Sequence, residues 1–308
     1  MGRRVRARAT ATVSNLNCGF DVLGLAINEP CDFVDLEMTD NRAVEIAGIK
    51  GCDGLSLDPE TNVVGVVLNA MIRKTGTKAG FRAFIEKGIT PGSGIGSSGA
   101  SSAAAAFAAN ELMGRIFSLK ELVAFAMEGE RMASGTAHAD NVAPALLGGI
   151  TLIRSYEPLD IVSVDIPPEL FCVVIHPDIE IKTSMARGIL DKQISLGTAV
   201  KQWGNFGGLI AGLYSGDYDL IGRSLVDHIA EPKRSSLIPG FQELKKAAIQ
   251  NGALGAGISG SGPSVFALCR GEGSAKSALR AMSAGMDTVG INYKAYLSRV
   301  NREGATIC

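Results

Sequence analysis

A stretch rich in glycine and serine, PGSGIGSSGAS at 91–101, runs directly into the alanine-rich segment ASSAAAAFAANELMGR at 100–115. Glycine has the most permissive backbone of any residue, and alanine has the highest helix propensity. The junction therefore predicts a loop that leads into the N-terminus of a stable helix. Free N–H groups and the positive end of the dipole make such an N-terminus attractive to anions, and serine hydroxyls add donors. The stretch thus favours a phosphate-binding site.

Two segments, 94–99 and 255–260, match the pattern G-x-G-x-x-G. A plain tight turn is the alternative for each of them. A dinucleotide fold requires a strand leading straight into the glycines and an acidic residue about 20 positions later. Here Thr90-Pro91 interrupts the approach to the first segment, a helix start lies 20 residues on, and the second segment runs into Pro263 and a strand. No G-x-x-x-x-G-K-[ST] or protein-kinase motif occurs, so other phosphate sites must be considered.

The composition excludes several classes of protein. A net charge of −1 argues against general binding to nucleic acid or anionic membranes. Six cysteines without a C-x-x-C pair and only three histidines disfavour a zinc enzyme or a disulfide framework. No apolar run approaches the ~18 residues of a membrane span, and no apolar core follows the basic N-terminus as in a signal peptide. We therefore expect a cytoplasmic protein.

Periodicity predicts an α+β chain in two halves, which divide within 155–170. We predict strands at 4–13, 31–38, 43–49, 81–86, 150–155, 161–166, 171–176, 264–269 and 291–298, and a loop at 255–263. Helices are predicted at 63–75, along the alanine-rich run after the 91–101 motif to about Gly114, and at 118–133, 183–191, 195–214, 217–229, 239–250 and 274–285. Gly76 is the expected terminator of the first helix, and Ser118 with Glu121 forms a capping box.

One carboxylate falls on an apolar helix face. The face is formed by Leu119, Leu122, Val123, Ala126 and Met127, and helical spacing continues it to Glu130. A buried carboxylate needs a cation or a donor because the loss of hydration is costly. A salt bridge to an arginine and a Mg²⁺ site beside the phosphate loop are the two alternatives.

Three further stretches contain candidate functional side chains. SGTAHADNVAPALLGG at 134–149 places His138, Asp140 and Asn141 among small residues, while IKTSMARG and EPKRSSLIPGF supply Arg187 and Arg234. Two arginines from separate segments can clamp a carboxylate, although each alone is more often a solvated surface residue.

Three motifs, in order, resemble those of the GHMP kinases, which act on galactose, homoserine, mevalonate and phosphomevalonate. They are SNLNCGFDVLGLA at 14–26, PGSGIGSSGASSAA at 91–104 and GAGISGSGPSVFAL at 255–268. The resemblance covers nearly the whole chain, with one departure at Gly99, where alanine is usual. Within the family the chain is most similar to members that phosphorylate L-homoserine, on the evidence of GFDVLGLA and the segments at 134–149 and 231–241.

The resemblance implies a two-domain GHMP kinase fold. The N-terminal domain, 1–160, would be of the ribosomal S5 domain 2-like type and the C-terminal domain, 161–308, ferredoxin-like. ATP and Mg²⁺ would be required, and a homodimer is the family habit. The nucleotide would contact Asn62, Val63, Pro91, Gly92, Ser93, Gly94, Ile95, Gly96, Ser97, Ser98, Gly99, Ala100 and Ser101, with its base near Asn62 and Val63.

By the same resemblance, Ser98 and Glu130 would hold Mg²⁺. The amino acid would lie among Asn15, Asp21, His138, Asn141, Arg187 and Arg234. Arg187 and Arg234 suit its carboxylate and Asp21 its ammonium group. Thr183, one helical turn before Arg187, would face the same site, so the expected catalytic residues are Asn141, Glu130, Thr183 and Arg187.

Asn141 stands where mevalonate kinases have an acidic residue, and an amide cannot accept a proton. We therefore expect no side chain to act as general base, and the side chain of Asp140 to point away from the site. Two rival functions stay open: a sister kinase with another hydroxylated substrate, and an ATP-binding protein without catalysis.

Overall fold

The computed structural model describes residues 3–308, which form two sheets with helices packed against them. The first sheet contains β1 (Arg4–Ser14), β2 (Leu23–Thr39), β3 (Val44–Lys50), β4 (Gly80–Glu86), β5 (Ile150–Tyr156), β6 (Leu159–Val164) and β11 (Thr306–Ile307). Its order is β11-β1-β2-β4-β3, and β5 joins the other end of the long β2 and pairs with β6. Only β3 and β4 run parallel within it. Its helices are α1 (Val63–Thr75), α2 (Ser97–Leu112), α3 (Leu119–Ser134) and α4 (Val142–Leu147).

The second sheet contains β7 (Leu170–Pro177), β8 (Ala253–Ile258), β9 (Val265–Arg270) and β10 (Tyr293–Arg299), all antiparallel in the order β10-β7-β9-β8. Its helices are α5 (Thr183–Gly188), α6 (Leu196–Ser215), α7 (Tyr218–Ser224), α8 (Glu231–Arg234), α9 (Phe241–Gln250) and α10 (Gly271–Val289). A strand, helices, two strands, a helix and a last strand in this order give the predicted ferredoxin-like arrangement.

The alanine-rich helix α2 is the centre of the first half. Of its 16 residues, 13 are buried, and it contacts β1 and β2 on one side and α1 and α3 on the other. A helix without a polar face must be enclosed, and small side chains let its neighbours approach closely. The same burial fixes the position of its N-terminus, which begins at Ser97 within the 91–101 stretch.

Helix signals near the site are confirmed. The capping box of Ser118 and Glu121 is present, and α1 ends at Gly76 in the left-handed conformation. One detail of the predicted stripe on α3 is wrong, because Leu119 is 41% exposed in the first helical turn. The buried face starts at Leu122 and does include Glu130.

Two predicted elements are wrong. Residues 253–258 form strand β8 instead of part of a loop, and their glycines serve close packing. A Cβ at Gly257 would lie 1.7 Å from the Asn17 side chain, and one at Gly255 would lie 2.6 Å from Leu225. The helix predicted at 217–229 ends at Ser224. Asp227 accepts hydrogen bonds from the backbone N–H groups of residues 229–231, an alternative to helix continuation.

The predicted domain boundary at residue 160 stays a prediction. The first two residues of the predicted N-terminal domain lie outside the described part of the chain. The first sheet reaches Val164 and takes back residues 306–307 from the C-terminus. Among residues 3–308, no helix is long and apolar enough to cross a membrane.

Candidate active site

A cavity of about 600 Å³ opens between the two halves. Eighteen of the predicted site residues line it: Asn15, Asp21, Asn62, Val63, Pro91, Gly92, Ser93, Gly94, Gly96, Ser97, Ser98, Ser101, Glu130, His138, Asn141, Thr183, Arg187 and Arg234. Ile95, Gly99 and Ala100 do not, because they are buried beneath the loop. The volume suits a nucleotide-sized or drug-sized ligand.

The 91–101 loop offers free backbone donors. Gly92, Gly94 and Gly96 have φ of 73°, 79° and 73°, a region that suits glycine. Gly96 is the N-cap of α2 and provides no side-chain cap for the first helical turn. Within residues 3–308, the N–H groups of Gly94, Ile95 and Gly96 make no hydrogen bond. The loop therefore has the donors that an anion needs.

Two serine hydroxyls of this loop hold its shape. Ser97 donates to the Ile89 carbonyl at 2.9 Å and Ser101 to Asp32 at 2.7 Å. The hydroxyl of Ser93 is buried and has no partner in the described chain. Ser98 is half-buried and lies beside Glu130. Ser98 is thus the loop serine best placed for a ligand.

The second glycine motif and the turn after it hydrogen-bond to the backbone of the first. In the turn after β8, Ser259 donates to the Gly94 carbonyl at 2.7 Å, and Ser264 donates to the Ser93 carbonyl at 2.6 Å. A Cβ on Gly94 would lie 2.4 Å from the Gly262 carbonyl oxygen. The C-terminal half therefore fixes the backbone of the 91–101 loop.

Sequence analysis missed a buried ion pair beneath this loop, between Lys87 and Asp32. Their side chains are 4% and 0% exposed. Lys87 also donates to the Ser97 carbonyl at 3.0 Å, and Asp32 accepts from the backbone N–H groups of residues 88 and 89. The pair joins β2, the end of β4 and the start of α2. No local pattern signals it, because its members stand 55 residues apart.

Glu130 is 7% exposed, and its Oε1 has no hydrogen-bond partner in residues 3–308. No arginine or lysine forms an ion pair with it there, so the salt-bridge alternative is wrong. Burial raises the pKa of this carboxyl, while the nearby Ser98 hydroxyl and Lys87 charge act in the opposite direction. An unpartnered carboxylate oxygen beside a phosphate loop fits a cation. No group of three or more His, Cys, Asp or Glu side chains that could hold a metal ion occurs in the described chain.

The segment after β1 is strained and tied to the C-terminal half. Asn15, Leu16, Asn17 and Asp21 have φ between 44° and 73°, which is uncommon outside glycine. Asn15 accepts from the Asp21 N–H at 3.0 Å and donates to the Gly260 carbonyl at 3.0 Å. Both ends of the Asn15 amide are therefore engaged, and its observed role is to position Asp21.

Asp21 lies at the centre of a charged group. Nη2 of Arg187 donates to both of its oxygens, at 2.8 and 3.0 Å, and Nε2 of His138 is 3.7 Å from Oδ2. Burial lowers the pKa of His138, which keeps the ring neutral at pH 7. The expected ammonium acceptor is thus paired with one of the expected carboxylate ligands.

Arg234 is 3% exposed and has no anionic partner among residues 3–308. Nε donates to the Ala186 carbonyl at 3.0 Å and Nη1 to the Gly260 carbonyl at 2.8 Å. Burial and the charge of Arg187 both lower its pKa. Both guanidinium groups lie over the Phe20 ring, at 5.5 Å for Arg187 and 5.3 Å for Arg234. A buried guanidinium without a counter-ion is a site for an anion.

Asn141, the N-cap residue of α4, is held at both ends of its amide. Thr12 donates to its Oδ1 at 2.7 Å, and its Nδ2 donates to Ser14 Oγ at 3.1 Å. Asp140 also lines the cavity, so the expectation that its side chain points away is wrong. Burial, with Asp21 and Glu130 nearby, raises the pKa of Asp140 to about 7.

Thr183 lines the cavity, and Tyr156 holds the segments beside it. Thr183 begins α5, and its hydroxyl is 3.5 Å from that of Ser261. Tyr156, which sequence analysis missed, donates to the Asp21 carbonyl at 2.8 Å and accepts from the Ala139 N–H at 3.3 Å. It links the two loops that carry Asp21 and His138.

Comparisons with known proteins agree with this geometry. Residues 62–149 match the family model "GHMP kinases N terminal domain" and residues 209–288 match "GHMP kinases C terminal". A homoserine kinase of Chlorobium phaeobacteroides is 49% identical across 99% of each chain. The crystal structure of homoserine kinase from Cytophaga hutchinsonii superposes with a TM-score of 0.97 at 48% identity, over 100% of this chain and 98% of that one. Mevalonate kinase from L. major shares the fold, with a TM-score of 0.73 at 17% identity over 97% and 99% of the chains.

Proposed function

Because this chain belongs to the GHMP kinase family and, within it, to the homoserine kinases, we propose that it transfers the γ-phosphoryl group of ATP to the side-chain hydroxyl of L-homoserine. The product is O-phospho-L-homoserine, an intermediate on the path to threonine. The cytoplasmic location and the homodimer expected from the family stay predictions.

The substrate proposal rests mainly on the surroundings of Arg234. Its guanidinium is buried, uses two donors on backbone carbonyls, and forms no ion pair in the described chain, although Asp21, Asp227 and Asp140 lie near enough to oppose the lowering of its pKa by burial. The substrate carboxylate would form that ion pair. Neutral sugars, the substrates of some sister kinases, would leave the buried charge uncompensated. The site therefore favours an amino acid over galactose.

Arg187 and Asp21 provide the second half of the recognition. They are paired with each other at 2.8 Å, so each is oriented before a ligand binds. In our proposal the substrate carboxylate takes a place on Arg187, and Asp21 turns its free lone pairs to the ammonium group. The exchange replaces one internal ion pair by two ion pairs to a zwitterion, so neither Arg187 nor Asp21 is left without a partner.

The phosphate groups are proposed to lie on the free N–H donors of the 91–101 loop, with the base near Asn62 and Val63. Ser98 and Glu130 are the residues that would hold Mg²⁺, since the Glu130 oxygen is otherwise unpartnered. When bound, the ion neutralises charge on the phosphate oxygens. Lys87 supports this arrangement from below through the Ser97 carbonyl.

Asn141 is proposed to orient the attacking hydroxyl, because its amide is fixed by Thr12 and Ser14. Phosphoryl transfer passes through a loose transition state, so an early strong base is not required. Asp140 is the rival, since a carboxyl with a pKa of about 7 suits general-base catalysis. The two readings differ in their pH profiles. A base at Asp140 makes kcat rise through pH 7 and costs about 10²–10⁴-fold in Asp140→Asn, whereas orientation by Asn141 gives a flat profile and a modest loss.

The central experiment measures the rate of ADP release from Mg-ATP in the presence of each member of a panel of substrates. L-Homoserine should have a higher kcat/KM than L-serine, L-threonine, mevalonate and galactose. Arg234→Ala should lower kcat/KM for L-homoserine by an amount worth about 2–5 kcal/mol, with the KM for ATP unchanged. Arg280→Ala removes an exposed charge on α10 and is the matched control. Preference for mevalonate or galactose, or unchanged homoserine kinetics in Arg234→Ala, would contradict the proposal.

The metal assignment has its own test. Glu130→Gln keeps the shape of the side chain and removes its charge. It should lower kcat and raise the Mg²⁺ concentration needed for half-maximal rate. Mn²⁺ binding, followed by electron paramagnetic resonance in the presence of ADP, should weaken in parallel. A variant with the Mg²⁺ and Mn²⁺ dependence of the parent protein would make Glu130 a structural residue.

A further inference from the structure

The two halves of the molecule are joined by two chain crossings within residues 3–308. The first, 165–169, leads from β6 to β7, and the second, 300–305, leads from β10 back to β11. A cavity of about 360 Å³, separate from the active site, is lined by residues of both crossings. Any ligand in it would touch both connections at once.

This junction cavity is strongly basic. Arg8, Arg299 and Arg302 line it, against one carboxylate, that of Glu303. None of the three guanidinium groups forms an ion pair in the described part of the chain. Arg302 donates to the Ile166 carbonyl at 2.9 Å, and Arg299 lies 4.7 Å from the centre of the Phe171 ring.

The floor of the junction cavity is ordered by buried polar contacts. Asn301 is 3% exposed, donates to Thr10 at 3.0 Å and accepts from the Glu303 N–H at 3.0 Å. The Arg8 guanidinium makes no hydrogen bond to residues 3–308, so its donors are available. Arg299 and Arg302 are exposed and Arg8 is half-buried, so solvent screens part of their mutual repulsion, and an anion between them would offset the rest. Guanidinium forks match the oxygens of a phosphate group particularly well.

The second crossing also contacts α4, the helix whose N-cap residue Asn141 lines the active site. The Gly149 N–H donates to the Asn301 carbonyl at 2.6 Å, and the Ala305 N–H donates to the Leu146 carbonyl at 3.2 Å. Leu146 and Gly149 belong to α4 and the turn after it, and α4 begins at the N-cap Asn141. Contacts through fixed backbone thus lead from the junction cavity to the residue proposed to orient the substrate.

We propose that the junction cavity is a second ligand site, which binds a small molecule carrying a phosphate group and restrains both crossings when occupied. The ligand is held by Arg8, Arg299 and Arg302. It is distinct from the nucleotide site, which uses the 91–101 loop.

Hydrogen–deuterium exchange tests this directly. The protein is saturated with Mg²⁺ and a non-hydrolysable ATP analogue, so that the 91–101 loop is occupied. Inorganic phosphate is then titrated against chloride at constant ionic strength. Exchange should slow at 165–169, 300–305 and 146–149. Arg8→Gln and Arg299→Gln should each weaken the apparent affinity about tenfold or more. Arg8→Lys should retain part of the affinity, and Arg280→Gln all of it.

Glycerol 3-phosphate forms a second arm of the titration. Tighter binding than that of phosphate identifies the ligand as a phosphate ester, and equal binding identifies it as the free anion. Equal affinity in the parent protein, Arg8→Gln and Arg299→Gln would overturn the proposal. So would protection confined to the 91–101 loop, or no protection at either crossing. These measurements need no kinase activity.

Discussion

Replacing the buried carboxyl of Asp140 by an amide should make the protein more stable at alkaline pH. Asp140 is 5% exposed, and burial raises its pKa from 3.8 to about 7. The folded state therefore binds this proton more tightly than the unfolded state does. The stability that the group contributes is fully present below pH 3.8, falls as the pH rises, and is lost above about pH 7. Asp140→Asn is isosteric with the protonated form and does not titrate.

The magnitude follows from the size of the shift. Each pH unit is worth about 1.36 kcal/mol, so the whole rise of about three units corresponds to roughly 4 kcal/mol. Between pH 5.5 and 8, the advantage of Asp140→Asn over the parent protein should grow by about 2 kcal/mol. The growth with pH isolates the ionisation, because any packing change in the variant is the same at each pH.

Urea unfolding followed by circular dichroism at pH 5.5, 7 and 8 measures this difference. Asp53→Asn, which removes an exposed carboxylate, is the matched control for the loss of one carboxylate. If the difference for Asp140→Asn is independent of pH, the carboxyl is not held in its neutral form by burial. The reasoning that makes Asp140 a rival base would then fail with it.

Three further changes test the packing around the site. Lys87→Met should lower the free energy of unfolding by about 3–5 kcal/mol, since it leaves Asp32 buried without its cation. Adding Asp32→Leu should recover part of the loss. If the stability changes of the two substitutions simply add in urea unfolding, the pairing is contradicted. Gly257→Ala should lower the free energy of unfolding by about 1–3 kcal/mol or more, because the added Cβ would lie 1.7 Å from the Asn17 amide. A melting temperature equal to that of the parent would show that β8 has room for a side chain. Ser118→Ala should cost about 0.5–2 kcal/mol through loss of the capping box, with unchanged kcat; a stability change below this range would mean that the cap contributes little.

Local patterns were sufficient for much of the molecule. The loop-to-helix junction at 91–101, the cap at Ser118 and the end of α1 at Gly76 depend on residues within a few positions of each other, so propensity and spacing predict them. Helical periodicity likewise predicts the burial of Glu130, because helical spacing alone places it on the same face as the apolar residues of α3. The family motifs added the roles of these residues but not their contacts.

Contacts between distant segments decided the rest. Asp32 and Lys87 are buried as a pair only because β2 and β4 are neighbours, and no pattern near either residue indicates a partner. The glycines of 255–260 look like a loop in sequence, yet Asn17 and Leu225 require them in a strand. Asp140 and Asp21 are far apart in sequence, yet the fold brings both to the wall of one cavity, where the charge of Asp21 helps to raise the pKa of Asp140. The sequence by itself determined where helices begin and which faces are apolar. Only the tertiary structure decided which charges meet, because charge pairing depends on distances in space that sequence spacing does not encode.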